Sequence, residues 1–166
     1  MKKLLFLLLL PLTSILPSFG QNYQLHSVYI YSFIKYVQWP NTSDSEFIIG
    51  VYGNSPITDH LKKMAAVKKA GDKTIIVKNI NNLSNTANLS ILFVSKAVSG
   101  ELDSIIRKMM GSSTLLITEV EGAAAKGSNI NFVIRSGKLA FELNRSAMDR
   151  DNLKVSSELT RLAIII

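Results

Sequence analysis

Apolar residues along the chain follow two alternating rhythms: short continuous runs bounded by turn residues, and longer stretches where they return every three or four positions. The first rhythm suits strands buried on both faces, the second amphipathic helices. The continuous runs are FIIGVYG (47–53), closed by the turn cluster GNSP, then DKTIIVKNI (72–80), LSILFVS (89–95) and STLLITEV (113–120). Between them lie helical patterns, ITDHLKKMAAVKKA (57–70) and ELDSIIRKMMG (101–111). The second places Leu102, Ile105, Ile106, Met109 and Met110 on one face, with Gly111 as the expected C-terminal cap. NINFVIRSGKLAFELN (129–144) reads as two strands about a Ser136-Gly137 turn, the one clear hairpin signal, and SSELTRLAIII (156–166) closes the domain as a helix with Leu159, Leu162 and Ala163 on one face. Strands alternating with helices, then a hairpin, predict an α/β fold: a single three-layer domain with a largely parallel sheet, a C-terminal antiparallel hairpin and flanking helices.

Ahead of these elements the stretch YIYSFIKYVQWP (29–40) gathers aromatic side chains and stops at a proline. Laid on a helix over 24–39, it separates into two arcs. Leu25, Tyr29, Ile30, Phe33, Ile34, Tyr36 and Val37 face the core; Gln24, Ser27, Ser32, Lys35 and Gln38 face water. Tyr31 projects among the polar residues beside Val28, and Trp39 sits at the helix exit, where Pro40 forces its predecessor out of helical geometry. An exposed Tyr, an exposed Val and a Trp make a small patch of the composition enriched at interfaces. The alternative is that Trp39 folds back over the domain edge and a neighbouring loop covers Tyr31.

The first twenty residues change the picture of the compartment. Lys2 and Lys3 precede the apolar run LLFLLLLPLTSIL, and Ser18 and Gly20 sit where a signal peptidase would cut. Residues 1–20 therefore read as a cleaved signal peptide and 21–166 as one exported domain. The run is interrupted by Pro11 and falls short of the roughly 20 apolar residues that span a bilayer. Without Lys2 and Lys3 the chain carries 17 basic and 12 acidic residues, a mildly basic balance. Its densest patch, around Lys62, Lys63, Lys68, Lys69 and Lys73, reads as a solvated helix face; an exported protein rarely meets nucleic acid. There is no cysteine, so the fold takes no disulfide and no thiol can act as nucleophile.

Catalytic chemistry is sparse. The two histidines, His26 and His60, have no second ligand at metal spacing and read as structural or solvated. GNSP and GAAAKGS lack the glycine pattern of phosphate loops, and no G-x-S-x-G appears. Glu119 and Glu121, two apart at a strand end, could approach one ion, although solvation is the stronger reading.

In order and spacing FIKYVQWP, FIIGVYGNSPI, LSILFVS, LLITEVEGAAAKGSNINFVIRSGKLAFELN and LKVSSELTRLA together resemble the YfiR/HmsC family, over about 28–163. The resemblance implies a periplasmic regulator without enzymatic activity or cofactor. It would bind the extracytoplasmic part of a membrane-bound diguanylate cyclase, or of a sensor histidine kinase, and control its activity as a repressor linked to cyclic-di-GMP and biofilm. A second copy of the chain is a further candidate partner. Redox control through disulfides, associated with some members, cannot operate without cysteine. Candidate contacts are Tyr31, Lys35, Trp39 and Pro40, with Asn144 and Arg145 as a second set; Asn144 matches an F-x-x-N pattern and could equally cap a turn. Two other readings stay open: a small-ligand sensor with a pocket around Asn54, Ser55 and Ser95 at the carboxyl ends of the strands, and an exported hydrolase with a triad assembled in the fold.

Overall fold

A computed structural model of the chain describes residues 22–40 and 44–166, so the proposed signal peptide lies outside the described residues. Helix α1 (Tyr23–Tyr36) leads through β1 (Val37–Gln38) to β2 (Glu46–Tyr52), α2 (Ile57–Ala65), β3 (Lys69–Ala70) and β4 (Lys73–Ile80). Then come β5 (Ile91–Val94), α3 (Leu102–Met109), β6 (Leu115–Thr118), α4 (Ala123–Lys126), β7 (Ile130–Arg135) and β8 (Lys138–Leu143). Helix α5 (Arg145–Arg150), β9 (Lys154–Val155), α6 (Ser157–Leu162) and β10 (Ile164–Ile165) follow.

Eight strands form one sheet in the order β10-β8-β7-β6-β5-β2-β4-β3, while β1 and β9 make a separate two-stranded ribbon. The expected three-layer α/β architecture is the observed one. Strands β4, β2, β5, β6 and β7 run parallel, and β7 and β8 form the antiparallel hairpin about Ser136-Gly137, both at positive φ as a type I′ turn requires. Because helices cover both faces, the central strands are continuously apolar and alternate residues serve opposite layers. Ile91 and Phe93 of β5 join a cluster with α1, α2, α5 and α6, whereas Leu92 and Val94 join α3 and α4. The chain steps from β2 to β4 on one side and then returns to place β5 on the other, so the strand order reverses at β2.

Several elements differ from the sequence expectation. Helix α2 stops at Ala65, and residues 69–70 turn back as β3 against the start of β4 about Gly71, whose φ is +60°. Gly-Asp between two strands is itself a hairpin signal; the helical spacing of the preceding lysines obscured it. Met110 lies beyond the end of α3 and is 48% exposed, leaving Leu102, Ile105, Ile106 and Met109 as the buried face. The last helix also ends early: Leu159 is buried, Leu162 is exposed, and Ile164–Ile165 extend as β10 beside β8.

Helix α1 is rolled relative to the expected arc. Its buried residues are His26, Ser27, Ile30, Phe33 and Ile34, while Leu25 faces outward. The cause is aromatic. The His26 ring packs on Phe132 at 4.5 Å and on Tyr23 at 5.1 Å, taking the core position assigned to Leu25. Ser27 can then be buried because its hydroxyl donates to the Gln24 carbonyl at 2.7 Å. Further along, Phe33 meets Phe141 edge-on at 5.0 Å and Phe132 at 5.8 Å. The exit of α1 is tied to the C-terminal segment: Val37 pairs with Val155, and the Ser156 N–H donates to the Tyr36 carbonyl.

Strands β6 and β7 are in register over only two residue pairs, Ile117↔Ile130 and Thr118↔Asn131, and side chains complete the join. Asn129 accepts from the Leu116 N–H at 2.7 Å; Asn131 accepts from the Thr118 hydroxyl at 2.8 Å and the Val120 N–H at 3.1 Å. Their amide nitrogens donate to buried carboxylates, Asn129 to Asp151 and Asn131 to Glu142, which Arg150 and Arg135 neutralise. Burial raises the Asp151 pKa, but hydrogen bonds from Arg150, the Gly111 N–H and Asn129, with the Arg150 charge, hold it below its ordinary 3.8.

Replacing Asn131 with Ala strands the Val120 N–H and weakens the hold on Glu142, so urea denaturation should show a loss of about 3 kcal/mol. Because the Asp151 pKa is depressed on folding, its stabilisation is present above pH 3.8 and fades as pH falls through the folded value. Urea stability measured from neutral pH downward should therefore drop more steeply for the native chain than for Asp151→Asn; equal slopes would contradict the assignment.

Candidate docking face

Helices α1 and α2 pack side by side over the sheet, and their outer surfaces leave two shallow grooves, of 490 and 590 Å³, that share Tyr31, Val67 and Lys68. Val67 follows the end of α2 and is 76% exposed; Val28, one turn before Tyr31 on α1, is 56% exposed. Lys35, Lys63, Lys68 and Lys69 line the same grooves, and no acidic residue does. Among the described residues none of these four lysines forms an ion pair. The Lys68 ammonium instead stands 5.4 Å over the Tyr31 ring, and that of Lys35 stands 5.6 Å over Tyr36. The face is thus apolar at its centre and positively charged around it. Tyr31 and Lys35 were legible from helical spacing; Val67 was not, because the segment holding it read as helix.

The other expected contacts lie elsewhere. The Trp39 indole N–H donates to the Ser90 carbonyl at 2.9 Å, and its ring stands edge-on to Phe47 at 4.9 Å, so the side chain folds back over the domain edge. With Pro40 it lines a different depression that Tyr31 does not reach. Asn144 caps α5: its side-chain oxygen accepts from the Ala147 N–H at 2.9 Å and its amide donates to the Ala124 carbonyl at 2.8 Å. Arg145, the first residue of α5, is exposed.

A second concavity, of 910 Å³, opens at the carboxyl ends of β2 and β4, where the strand order reverses. Asn54 and Ser55 line it as expected, joined by Thr58, Asp59, Asn79 and Glu101. Ser95 does not: its hydroxyl donates to the Asn54 carbonyl and braces the loop from behind. Tyr52 donates to Glu101 at 2.7 Å, and that bond, with burial and the carboxylate charge, raises the phenol pKa. Sequence alone gave no signal for Glu101, which reaches the cleft from the turn before α3. Helix α2 borders both concavities, with Thr58 and Asp59 toward the cleft and His60 and Lys63 toward the grooves.

His26 is buried, its Nδ1 lies 3.1 Å from the Asn22 carbonyl, and its Nε2 is buried without a partner. Burial holds its pKa below the ordinary 6.5, against the opposing pull of that carbonyl. Among the described residues no serine hydroxyl bonds to either histidine ring, and no three metal-ligating side chains converge. Glu119, expected in solvent, is buried and accepts from the Lys96 N–H at 2.9 Å and the Tyr23 hydroxyl at 3.4 Å, anchoring the start of α1. Glu121 is exposed, and among the described residues no group of three or more metal-ligating side chains includes either carboxylate.

The sequence profile described as YfiR/HmsC-like matches residues 23–164, nearly all of the described chain. The chain belongs to the YfiR/HmsC-like family. That family consists of periplasmic regulators of signalling, and among the described residues no helix is long and apolar enough to cross a membrane. No curated protein matches the chain in sequence. Solved structures share its fold: a conserved domain protein from Vibrio cholerae O1 biovar El Tor aligns at 11% identity with a TM-score of 0.60. The ABC domain in complex with L-Trp from Streptococcus pneumoniae aligns at 9% identity with a TM-score of 0.57. Each alignment covers 87% of this chain and 60% of the other, so the family domain spans under two thirds of both.

Val67→Asp changes an exposed side chain and should shift unfolding free energy by no more than about 0.5 kcal/mol, whereas Tyr31→Ala trims a half-buried ring packed against the core and should cost about 1 kcal/mol. Trp39→Phe loses a hydrogen bond and should cost about 1 kcal/mol in the same denaturation assay.

Proposed function

We propose that this YfiR/HmsC-like chain is a non-enzymatic regulator that docks its α1–α2 face on the extracytoplasmic part of an inner-membrane signalling protein, a diguanylate cyclase or a sensor kinase. The carrying observation is the acid-free surface of Val28, Tyr31 and Val67 ringed by four lysines that form no ion pair among the described residues. Exposed apolar groups surrounded by like charge suit a partner surface that is apolar with acidic margins. Tyr31 and Lys35 are the central contacts of this reading; Trp39 with Pro40, and Arg145 on the helix capped by Asn144, are separate outlying ones. Docking changes the partner's output only through unequal affinity for its two conformations, and each tenfold difference is worth about 1.4 kcal/mol. As a repressor, the domain prefers the inactive state, which lowers cyclic-di-GMP and biofilm formation when a cyclase is the partner.

The cleft at the strand ends supports a second reading, a small-ligand sensor, because ligands of open α/β sheets settle where strand order reverses. The pneumococcal domain of like fold was solved with L-Trp. Calorimetric titration of L-Trp into the native chain and into Asn54→Ala tests this reading; absence of heat in the native chain removes it for that ligand.

The regulator reading is tested by capture from solubilised membranes, with bound proteins identified by mass spectrometry, alongside cellular cyclic-di-GMP in the presence and absence of the chain. Recovery of a cyclase or kinase by the native chain, lost with Tyr31→Ala/Val67→Asp, is the expected result. Failure to recover either class counts against the reading, whereas equal recovery by native and variant chains sinks only the α1–α2 face.

A further inference from the structure

Among the described residues Nε2 of His26 is the one buried side-chain nitrogen or oxygen without a hydrogen-bond partner. The other ring nitrogen, Nδ1, stands 3.1 Å from the Asn22 carbonyl. A carbonyl only accepts, so Nδ1 carries the hydrogen of the neutral ring and Nε2 is a bare lone pair, in a residue only 1% exposed. Buried polar groups are ordinarily paired, and an orphan of this kind calls for an explanation.

A second proton on the ring would fall on Nε2, where nothing is placed to accept the new N–H. On its own helix the ring meets Tyr23, and from β7 it meets Phe132. Glu119, from the turn after β6, accepts from the Tyr23 hydroxyl and the Lys96 N–H instead. Helix α2 and the turn after it bring His60, Lys63 and Lys68 to the outer side of α1, and α6 carries Glu158 and Arg161 in solvent. The first turn of α1 holds no acidic residue, and the positive end of the helix dipole opposes a cation at its fourth residue. Attachment of that turn is light: Leu25 faces outward, and the Asn22 cap and the Tyr23 bond to Glu119 are both 3.4 Å long. Further on, Ile30 and Phe33 are fully buried and hold the helix down.

We propose that His26 is an acid-operated latch: taking up a proton in mild acid frees the first turn of α1, residues 22–27, while the helix from Ile30 onward stays packed. In the freed turn the imidazole reaches water and its ordinary 6.5, whereas burial holds the closed ring lower. The open form therefore binds the proton more tightly. Closure is undisturbed well above pH 6.5, and the open population rises about tenfold for each pH unit below it until the closed ring also titrates. That window lies above the 3.8 at which Asp151 begins to respond. Gln24, Ser27 and Val28 line one of the docking grooves, so opening reshapes that face. This last consequence rests on the docking reading; the latch itself does not.

Hydrogen exchange of the native chain at about pH 7.5, 6.5 and 5.5, read by mass spectrometry and corrected for the intrinsic rate, tests the latch with no partner present. His26→Phe, His26→Gln and His60→Gln run in parallel, with NMR titration of the His26 imidazole in the native chain. From about pH 7.5 to 5.5, first-turn amides should exchange up to about tenfold faster in the native chain and in His60→Gln, in step with the imidazole titration. The amides of α3 should not change, and neither His26 variant should respond to pH. A first turn equally protected at all three pH values overturns the inference. So does opening that persists in a folded His26 variant, disappears in His60→Gln, or spreads to α3 as global unfolding. Circular dichroism checks that the variants fold; if neither His26 variant does, the match or mismatch of opening with the imidazole titration decides.

Discussion

The sheet depends on a seam where two asparagines stand in for missing ladder bonds. Its parallel part ends at β6 and β7, which share only two register pairs, and the hairpin strand β8 hangs on β7. Asn129 and Asn131 reach across to the Leu116 and Val120 N–H groups on either side of that short register. Each asparagine is itself held by a buried carboxylate, and each carboxylate by an arginine. Buried charges are tolerable when paired and fully hydrogen-bonded, and removing one member leaves the remainder desolvated and unpaired. The platform on which α1, α5 and α6 lie is therefore fastened by polar side chains in the midst of an apolar core.

Much of the architecture was legible because burial on both faces writes itself as uninterrupted apolar runs. FIIGVYG, LSILFVS and STLLITEV carry that mark, and all three are central strands. Strand order was not legible, since it depends on which edges meet across long connections. The roll of α1 was missed for a different reason: at its first turn the choice between Leu25 and His26 is made by Phe132, more than a hundred residues away. Glu119 escaped in the same way, because a glutamate beside a turn looks solvated until the Lys96 N–H and the Tyr23 hydroxyl are brought to it.

The candidate site was half legible. Helical spacing isolates Tyr31 and Lys35 on α1, yet the neighbours that make them a surface, Val67 and Lys68, come from the turn after α2. Trp39 looked similar in composition and behaves differently, because its indole N–H finds a carbonyl inside the domain. Both helices of the face rest on the cluster that includes Ile30, Phe33, Ile57 and Leu61. A surface mounted on a packed layer keeps its shape when a partner arrives, so little ordering entropy opposes contact.

The ribbon of β1 and β9 joins residues near the two ends of the described chain, with Val37 beside Val155 and Tyr36 bonded to Ser156. Helix α1 therefore cannot be fastened at its exit until residues 154–156 are available. Isolated helices of its length are marginal in water, so while the chain is incomplete its beginning lacks a partner that would fix it. In a protein that passes through a membrane starting from that end, such an arrangement postpones final assembly until residues 154–156 have crossed, and keeps the leading segment threadable in the meantime.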